Sequence, residues 1–507
     1  MFIDAEGLDN RSLIEARVMI VGGGMAGIAL ARQLADGGVD VAILESGGEK
    51  PDERVQSLYA GAMTVGDGQG GDERRVDDYL TKSRVRCFGG SGNVWGGKCA
   101  PLDPMDFERR EWVPHSGWPF DRAALQPFYD RACELLALPR FASPADPRPD
   151  RLVGDRSPAF TPRTRAYTRY TGAVPDGPYA GFKNATAQHP RVRVYLNANV
   201  TRILLREDGS RVAGFEVGGF SGKRHTARAD VYVLATGGIE NVRLLLVSND
   251  VHPRGIGNHS DWLGRGFQGH TTIGRQNTSL WAYRSPDAIG AYNIGLRDTA
   301  HVVLGASDAA QRRDKRLNFT TTLSGAVATA PRTTSSLHAI GRRLDGASGA
   351  AHQHQHQSIY FMVENVPDRR SQVTVDPADR DPLGMPRVRL HMHHSEIEFD
   401  TLERSIFSLA RELGRIGAGR LQWSGTRADW QESMTSLSRH HMGATRMSVS
   451  AGDGVVDEHG RVHGVSNLFV AGSSIFPTSG IANPTLTLLA LTFRMGDRLL
   501  SATGGLA

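Results

Sequence analysis

Gly22, Gly24 and Gly27 stand at G-x-G-x-x-G spacing directly after the apolar run Val18 to Val21, a combination that can bind a diphosphate. Gly22 permits a tight turn, Gly24 lets a pyrophosphate approach the backbone, and Gly27 lets the following helix pack close to the strand. The helix start then offers N–H groups and a positive dipole end to the phosphates. A second apolar run, Val39 to Leu44, ends in Glu45, whose carboxylate can accept hydrogen bonds from an adenosine ribose. Strand, helix, second strand and acid together point to a dinucleotide. These residues alone leave FAD and NAD both open.

The rest of the candidate chemistry lies between Ser438 and Leu500, where a His-rich turn precedes a strand, a Gly-Ser turn and an apolar helix. By residue type alone, His440 and His441 could satisfy nearby carbonyls. Asn483 before Pro484 is likewise a good N-cap, with proline at the first helical position.

The scaffold that must position these residues is large. A chain of 507 residues favours two large domains, and 39% hydrophobic with 22% charged residues fits a globular protein with a sizeable core. The net charge of +5 is spread without a long basic run, which argues against a nucleic-acid partner. Cys87, Cys99 and Cys133 cannot all pair and form no C-x-x-C, so zinc ribbons and c-type haem attachment are excluded and a reducing compartment is expected. The N-terminus has no basic segment followed by an apolar one. The most apolar window, Leu486 to Phe493, is far shorter than the roughly 20 residues of a membrane span. The expectation is a cytoplasmic protein with no membrane span.

Along the chain, Gly47 to Gly71 and Asp72 to Lys82 read as surface loop. Arg86 to Lys98 is a second glycine cluster around Trp95, expected to press backbone against a flat ligand. Arg122 to Leu136 and Ser395 to Ile416 have helical period. Val192 to Leu196, Val200 to Leu205, Val212 to Val217, Ser358 to Asn365, Ser371 to Val375 and Pro386 to His391 read as strands. Asp230 to Ala235 is a further buried strand, expected to return the chain beside the first βαβ unit. Asp146 to Pro162 reads as a crossing between domains. The run beginning at His352 alternates with glutamine and lacks acids, so it reads as solvated loop, and no metal is expected.

Four segments taken together resemble the glucose–methanol–choline (GMC) family of FAD oxidoreductases. They are the N-terminal glycine motif with Glu45, Gly89-Gly-Ser-Gly-Asn-Val-Trp, Ala235-Thr-Gly-Gly, and a C-terminal pair. In that pair, His440-His-Met-Gly-Ala-Thr-Arg-Met is similar to the family's His-x-x-Gly-x-x-Arg-Met stretch, and Asn483-Pro-Thr to its Asn-Pro-Thr element. The His–Asn pairing resembles the pyranose-oxidase-like branch. The resemblance implies an α/β fold, with a Rossmann-like FAD-binding domain on a mixed or parallel sheet and an α+β substrate-binding domain. The expected boundaries are 1–150, 191–270 and 431–507 for the FAD-binding parts, 151–190 for a crossing, and 271–430 for the substrate domain. It implies FAD contacts from Gly22, Gly24, Met25, Ala26, Gly27, Glu45 and Ser46. Further contacts would come from Gly90, Ser91, Asn93, Val94, Trp95, Val200, Ala235, Thr236 and Gly237, and from Gly472, Ser473, Pro484 and Thr485. Some relatives attach the flavin through a histidine at the place of Val94, so the FAD here is expected to be non-covalent.

The implied reaction is oxidation of an alcohol group, with the hydroxyl proton going to a base and a hydride to the flavin N5. His440 matches the family base, with His441 as the alternative, and Asn483 would hold the substrate oxygen. The expected substrate is a sugar, glycoside, aminosugar or similar cyclic polyol. Apolar alcohols such as sterols or terpenoids and a flavoprotein lyase activity are the alternatives. The electron acceptor, oxygen or another, is left open.

Overall fold

The computed structural model describes residues 1–66, 74–141, 160–167, 178–273, 278–282, 300–326, 355–415, 419–423 and 438–503. The apolar Val18 to Val21 run lies inside the strand Leu13–Val21, in which Val18, Met19 and Ile20 are fully buried. A strand covered on both faces needs no polar alternation, which is why the run is continuous. Its sheet runs in the order Phe2–Asp4, Val192–Leu196, Val41–Leu44, Leu13–Val21, Arg224–Leu234, Val212–Gly218, Asn199–Leu205, with Leu468–Val470 also paired to Arg224–Leu234. The first five of these strands are mutually parallel, and Val212–Gly218 is antiparallel to both its neighbours. The helix Met25–Asp36 buries Ile28, Leu30, Ala31 and Leu34 against this sheet.

A second sheet runs Gly419–Trp423, Thr278–Ala282, Gln355–Glu364, Phe319–Ala326, Ala300–Ala306, Phe160–Tyr167, Lys98–Cys99, with His270–Ile273 also on Gln355–Glu364. The helix Glu396–Arg415 covers it, burying Phe399, Leu402, Ile406, Leu409 and Leu413 against Phe319, Ile359 and Phe361.

A third sheet corrects one expectation. The stretch read as surface loop between Gly47 and Lys82 contributes the helices Glu53–Gln56 and Tyr79–Lys82 and the strands Gly61–Gly66 and Arg74–Arg75. Gly61–Gly66 pairs in parallel with Pro386–His393, with Met63 and Val65 buried in the core and the alternate residues Ala62, Thr64 and Gly66 partly exposed. Arg122 to Leu136 begins as a 3₁₀ turn, Arg122–Leu125, and becomes α-helical only over Gln126–Leu135. Most of Asp146 to Pro162 and residues 352–354 lie outside the described residues. Among the described residues, no helix is long and apolar enough to cross a membrane.

A buried polar cluster ties residues 103–110 to the second sheet. Arg110 Nη1 donates to Glu364 Oε2 at 2.8 Å with both side chains fully buried. Asn318 Nδ2 donates to Asp103 Oδ2 at 3.1 Å and Asp106 Oδ1 at 3.2 Å. Burial, then the Asp103 and Glu364 carboxylates, push Asp106 up to about 8. An acid raised in the native state favours folding most when both states hold its proton, and that advantage is lost as pH climbs from 3.8 towards 8. The urea midpoint of the wild type should therefore fall, relative to that of Asp106→Asn, between about pH 4 and 8 and level off above. A difference between the two proteins that does not vary with pH would rule this out.

Candidate active site

The glycine turn is shaped by contact. Gly22 has φ of +101°, and a Cβ there would lie 2.6 Å from the Ala235 carbonyl oxygen; at Gly27 it would lie 2.0 Å from that of Gly22. The space beside Gly24 is open, and Gly24 caps its helix without a side-chain bond. That is a cradle a phosphate can fill. Glu45 Oε2 accepts from the Gly23 N–H and Oε1 from that of Gly47, each at 2.8 Å. Burial raises the Glu45 pKa, opposed by those two N–H groups and by Arg86. The carboxylate thus holds the turn as well as facing the cavity.

One cavity of about 870 Å³ is bordered by Gly22, Gly24, Met25, Ala26, Glu45 and Ser46 from the turn and by Gly90, Ser91, Val94 and Trp95 from the second glycine cluster. Val200, Ala235, Thr236, Gly237, Gly472, Ser473, His440, Asn483, Pro484 and Thr485 complete the expected set on its walls. Gly27 and Asn93 lie outside the lining. Gly27 is packed behind the turn, and Asn93 donates to the Phe88 carbonyl at 3.0 Å and accepts from Lys183 at 3.1 Å, so it braces the glycine loop.

The His turn is fastened on two sides. Gln268 and Met442 exchange backbone hydrogen bonds of 2.9 Å, and the Ser438 N–H donates to the His270 carbonyl at 3.0 Å. On the other side, Thr445 and Met447 donate backbone bonds to Ser474 and Ile475, and Ser473 Oγ to the His441 carbonyl at 2.6 Å. The two adjacent imidazoles then face different partners. His440 Nε2 lies 3.0 Å from Asn483 Nδ2, whereas His441 Nε2 lies 3.2 Å from the Tyr79 hydroxyl. Burial, Arg84 and His440 hold His441 down at about 3, so it stays neutral near neutral pH. Asn483 Oδ1 is buried and has no partner among the described residues, as expected of a group waiting for a ligand.

Sequence reasoning missed a charged wall of the same cavity. Arg84 Nη1 and Arg86 Nη2 each lie 2.9 Å from Glu240, and Arg243 Nη2 lies 2.8 Å from Asp381. Burial opposes the charge on Glu240, but Arg84, Arg243 and Arg86 outweigh it and hold the acid at about 2. Both Arg84 and Arg86 stack on the Tyr59 ring, at 3.9 and 4.2 Å. The one local signal was the Arg-x-Arg spacing before the glycine cluster; the acids that pair with it are distant in sequence.

Comparison with known proteins fits this geometry. The family model described as GMC oxidoreductase matches residues 367–492. The large subunit of fructose dehydrogenase from Gluconobacter japonicus is 28% identical over 65% of this chain and 57% of its own. Paromamine 6′-oxidase from Streptomyces fradiae is 26% identical over 94% and 90% of the two chains. Among solved structures, formate oxidase from Aspergillus oryzae superposes with a TM-score of 0.61 at 16% identity, covering 99% of this chain and 100% of the other, so the fold is shared. Residues 367–492 thus match the GMC oxidoreductases, and the chain as a whole has the fold of formate oxidase.

Proposed function

We propose that this enzyme oxidises a hydroxyl group of a sugar, glycoside, aminosugar or similar cyclic polyol to a carbonyl, with His440 accepting the hydroxyl proton. The observation that carries the reading is the 3.0 Å approach of Asn483 Nδ2 to His440 Nε2 on the wall of the cavity that also holds the glycine cradle. A substrate oxygen that displaces this hydrogen bond gives its proton to the imidazole and accepts a hydrogen bond from the amide. His441 is held by Tyr79 and braces the turn. Two relatives are named for the oxidation of fructose and of paromamine, which supports a polyhydroxylated ring as substrate.

The FAD would rest on Gly24, Gly90, Ser473 and Glu45, and when bound it supplies the acceptor for the hydride leaving the same carbon. Val94 offers no attachment atom, so acid precipitation should release all the FAD into the supernatant; flavin retained in the pellet would contradict this. Glu45→Ala should lower the flavin-to-protein absorbance ratio and also the melting temperature of the apoprotein, because it orphans two buried N–H groups besides removing ribose contacts. Full occupancy in the variant would assign nucleotide holding to another residue.

The reaction is tested by anaerobic bleaching of the flavin with a panel of monosaccharides, glycosides, paromamine and simple diols. His440→Ala should slow reduction by the best of these by roughly 10² to 10⁴ with FAD still bound. Reduction in the wild type should speed up as pH rises and the imidazole loses its proton, and the variant should lose that dependence. His441→Ala should cost far less. The reverse ranking would make His441 the base.

A further inference from the structure

His270 sits at the start of the strand His270–Ile273, fully buried, with its ring edge-on to that of His440 at 4.9 Å between centroids and 85° between planes. Its Nδ1 lies 2.8 Å from His440 Nδ1, and its Nε2 lies 3.0 Å from the Gly480 carbonyl oxygen. A carbonyl can only accept, so His270 Nε2 carries a hydrogen. In the neutral ring that leaves Nδ1 of His270 as the acceptor, and His440 Nδ1 must then be the donor. His440 consequently keeps its lone pair on Nε2, the nitrogen that faces Asn483. The same logic fixes the amide, whose Nδ2 rather than Oδ1 must face that lone pair.

We propose that His270 is a positioning residue that sets the tautomer of His440, so that the free base always lies on the substrate side. The inference rests on the reading of His440 as the proton acceptor. Without His270 the neutral imidazole divides between two tautomers, one of which presents an N–H to the substrate and cannot take its proton. When His440 has taken the proton, its Nδ1–H remains bonded to His270, and this helps hold the charge. The Gly480 carbonyl at the far end is itself fixed. Gly480 has φ of +55°, and a Cβ there would meet Leu102 at 2.5 Å and Asp106 Oδ2 at 2.6 Å.

Two substitutions separate the two ends of this chain of bonds. The Asn side-chain oxygen can take the place of His Nδ1, whereas the Gln amide reaches the place of Nε2. His270→Asn should therefore keep reduction within a few-fold of wild type. His270→Gln and His270→Phe should slow it by about 10- to 100-fold, the usual cost of losing a group that orients a histidine. In both slow variants the rise of rate with pH should move to lower pH, because the protonated form of His440 has lost an acceptor. A substrate-free readout comes from two-bond ¹H–¹⁵N spectra of FAD-loaded protein labelled at histidine, with His440 assigned by the signal missing in His440→Ala. Wild type should show His440 protonated at Nδ1, and His270→Phe should show a mixture. Equal rates for the Asn and Gln variants, or an unchanged His440 tautomer in His270→Phe, would overturn the proposal. If His440→Ala reduces as fast as wild type, the reading of His440 as base has failed, and the proposal fails with it whatever the tautomer. If only Phe misfolds, the Asn and Gln pair decides.

Discussion

The chemistry of this molecule depends on a contact of backbone with backbone. The Gly27 Cα lies so near the Gly22 carbonyl that a single added methyl group would stand 2.0 Å from the oxygen. This contact presses the start of the Met25–Asp36 helix against the Leu13–Val21 strand and leaves the backbone around Gly24 open. Ala235 closes the other side of the same turn, so two parallel strands and one helix meet at a point where no side chain is allowed. Phosphate recognition here is a matter of what is left out, with the partial charges of the helix start doing the attracting.

Reaction chemistry is assembled differently, by side chains from segments far apart in sequence. His440 comes from a turn laced to residues 268–270 on one side and to 473–475 on the other. Asn483 arrives from the chain just before the last helix, and His270 from a strand of the second sheet. Two neighbouring imidazoles thus meet unlike surroundings, one opposite an amide on the cavity wall and the other against the phenol of the half-buried Tyr79. The residue that looks redundant in the sequence is a brace.

Much of this was legible in the sequence, for physical reasons. The βαβ unit was readable because buried parallel strands are continuous apolar runs and the glycine spacing has a steric cause. The long helix Glu396–Arg415 was readable from its single apolar face. The strand Gly61–Gly66 was not, because only Met63 and Val65 carry its alternation and two glycines and a threonine dilute it. Asn93 lay within a glycine cluster that reads as ligand-facing, yet its amide turns inward to hold the loop. His270 and the Arg84–Glu240 wall were invisible for another reason: their meaning lies in partners more than 150 positions away, and periodicity reports only on near neighbours.

The order in which the sheets draw on the chain has a consequence for how the enzyme comes into being. The first sheet takes strands from residues 2–44, 192–234 and 468–470, and the second from 98–99, 160–167, 270–364 and 419–423. The first cannot be completed until the Leu468–Val470 strand has been made, nor the second until Gly419–Trp423 has. Long-range pairings of this kind form slowly and leave apolar edges open in the meantime. A nascent chain of this design is a natural client for chaperones, and one ended before residue 419 is a fragment of both sheets and a working copy of neither.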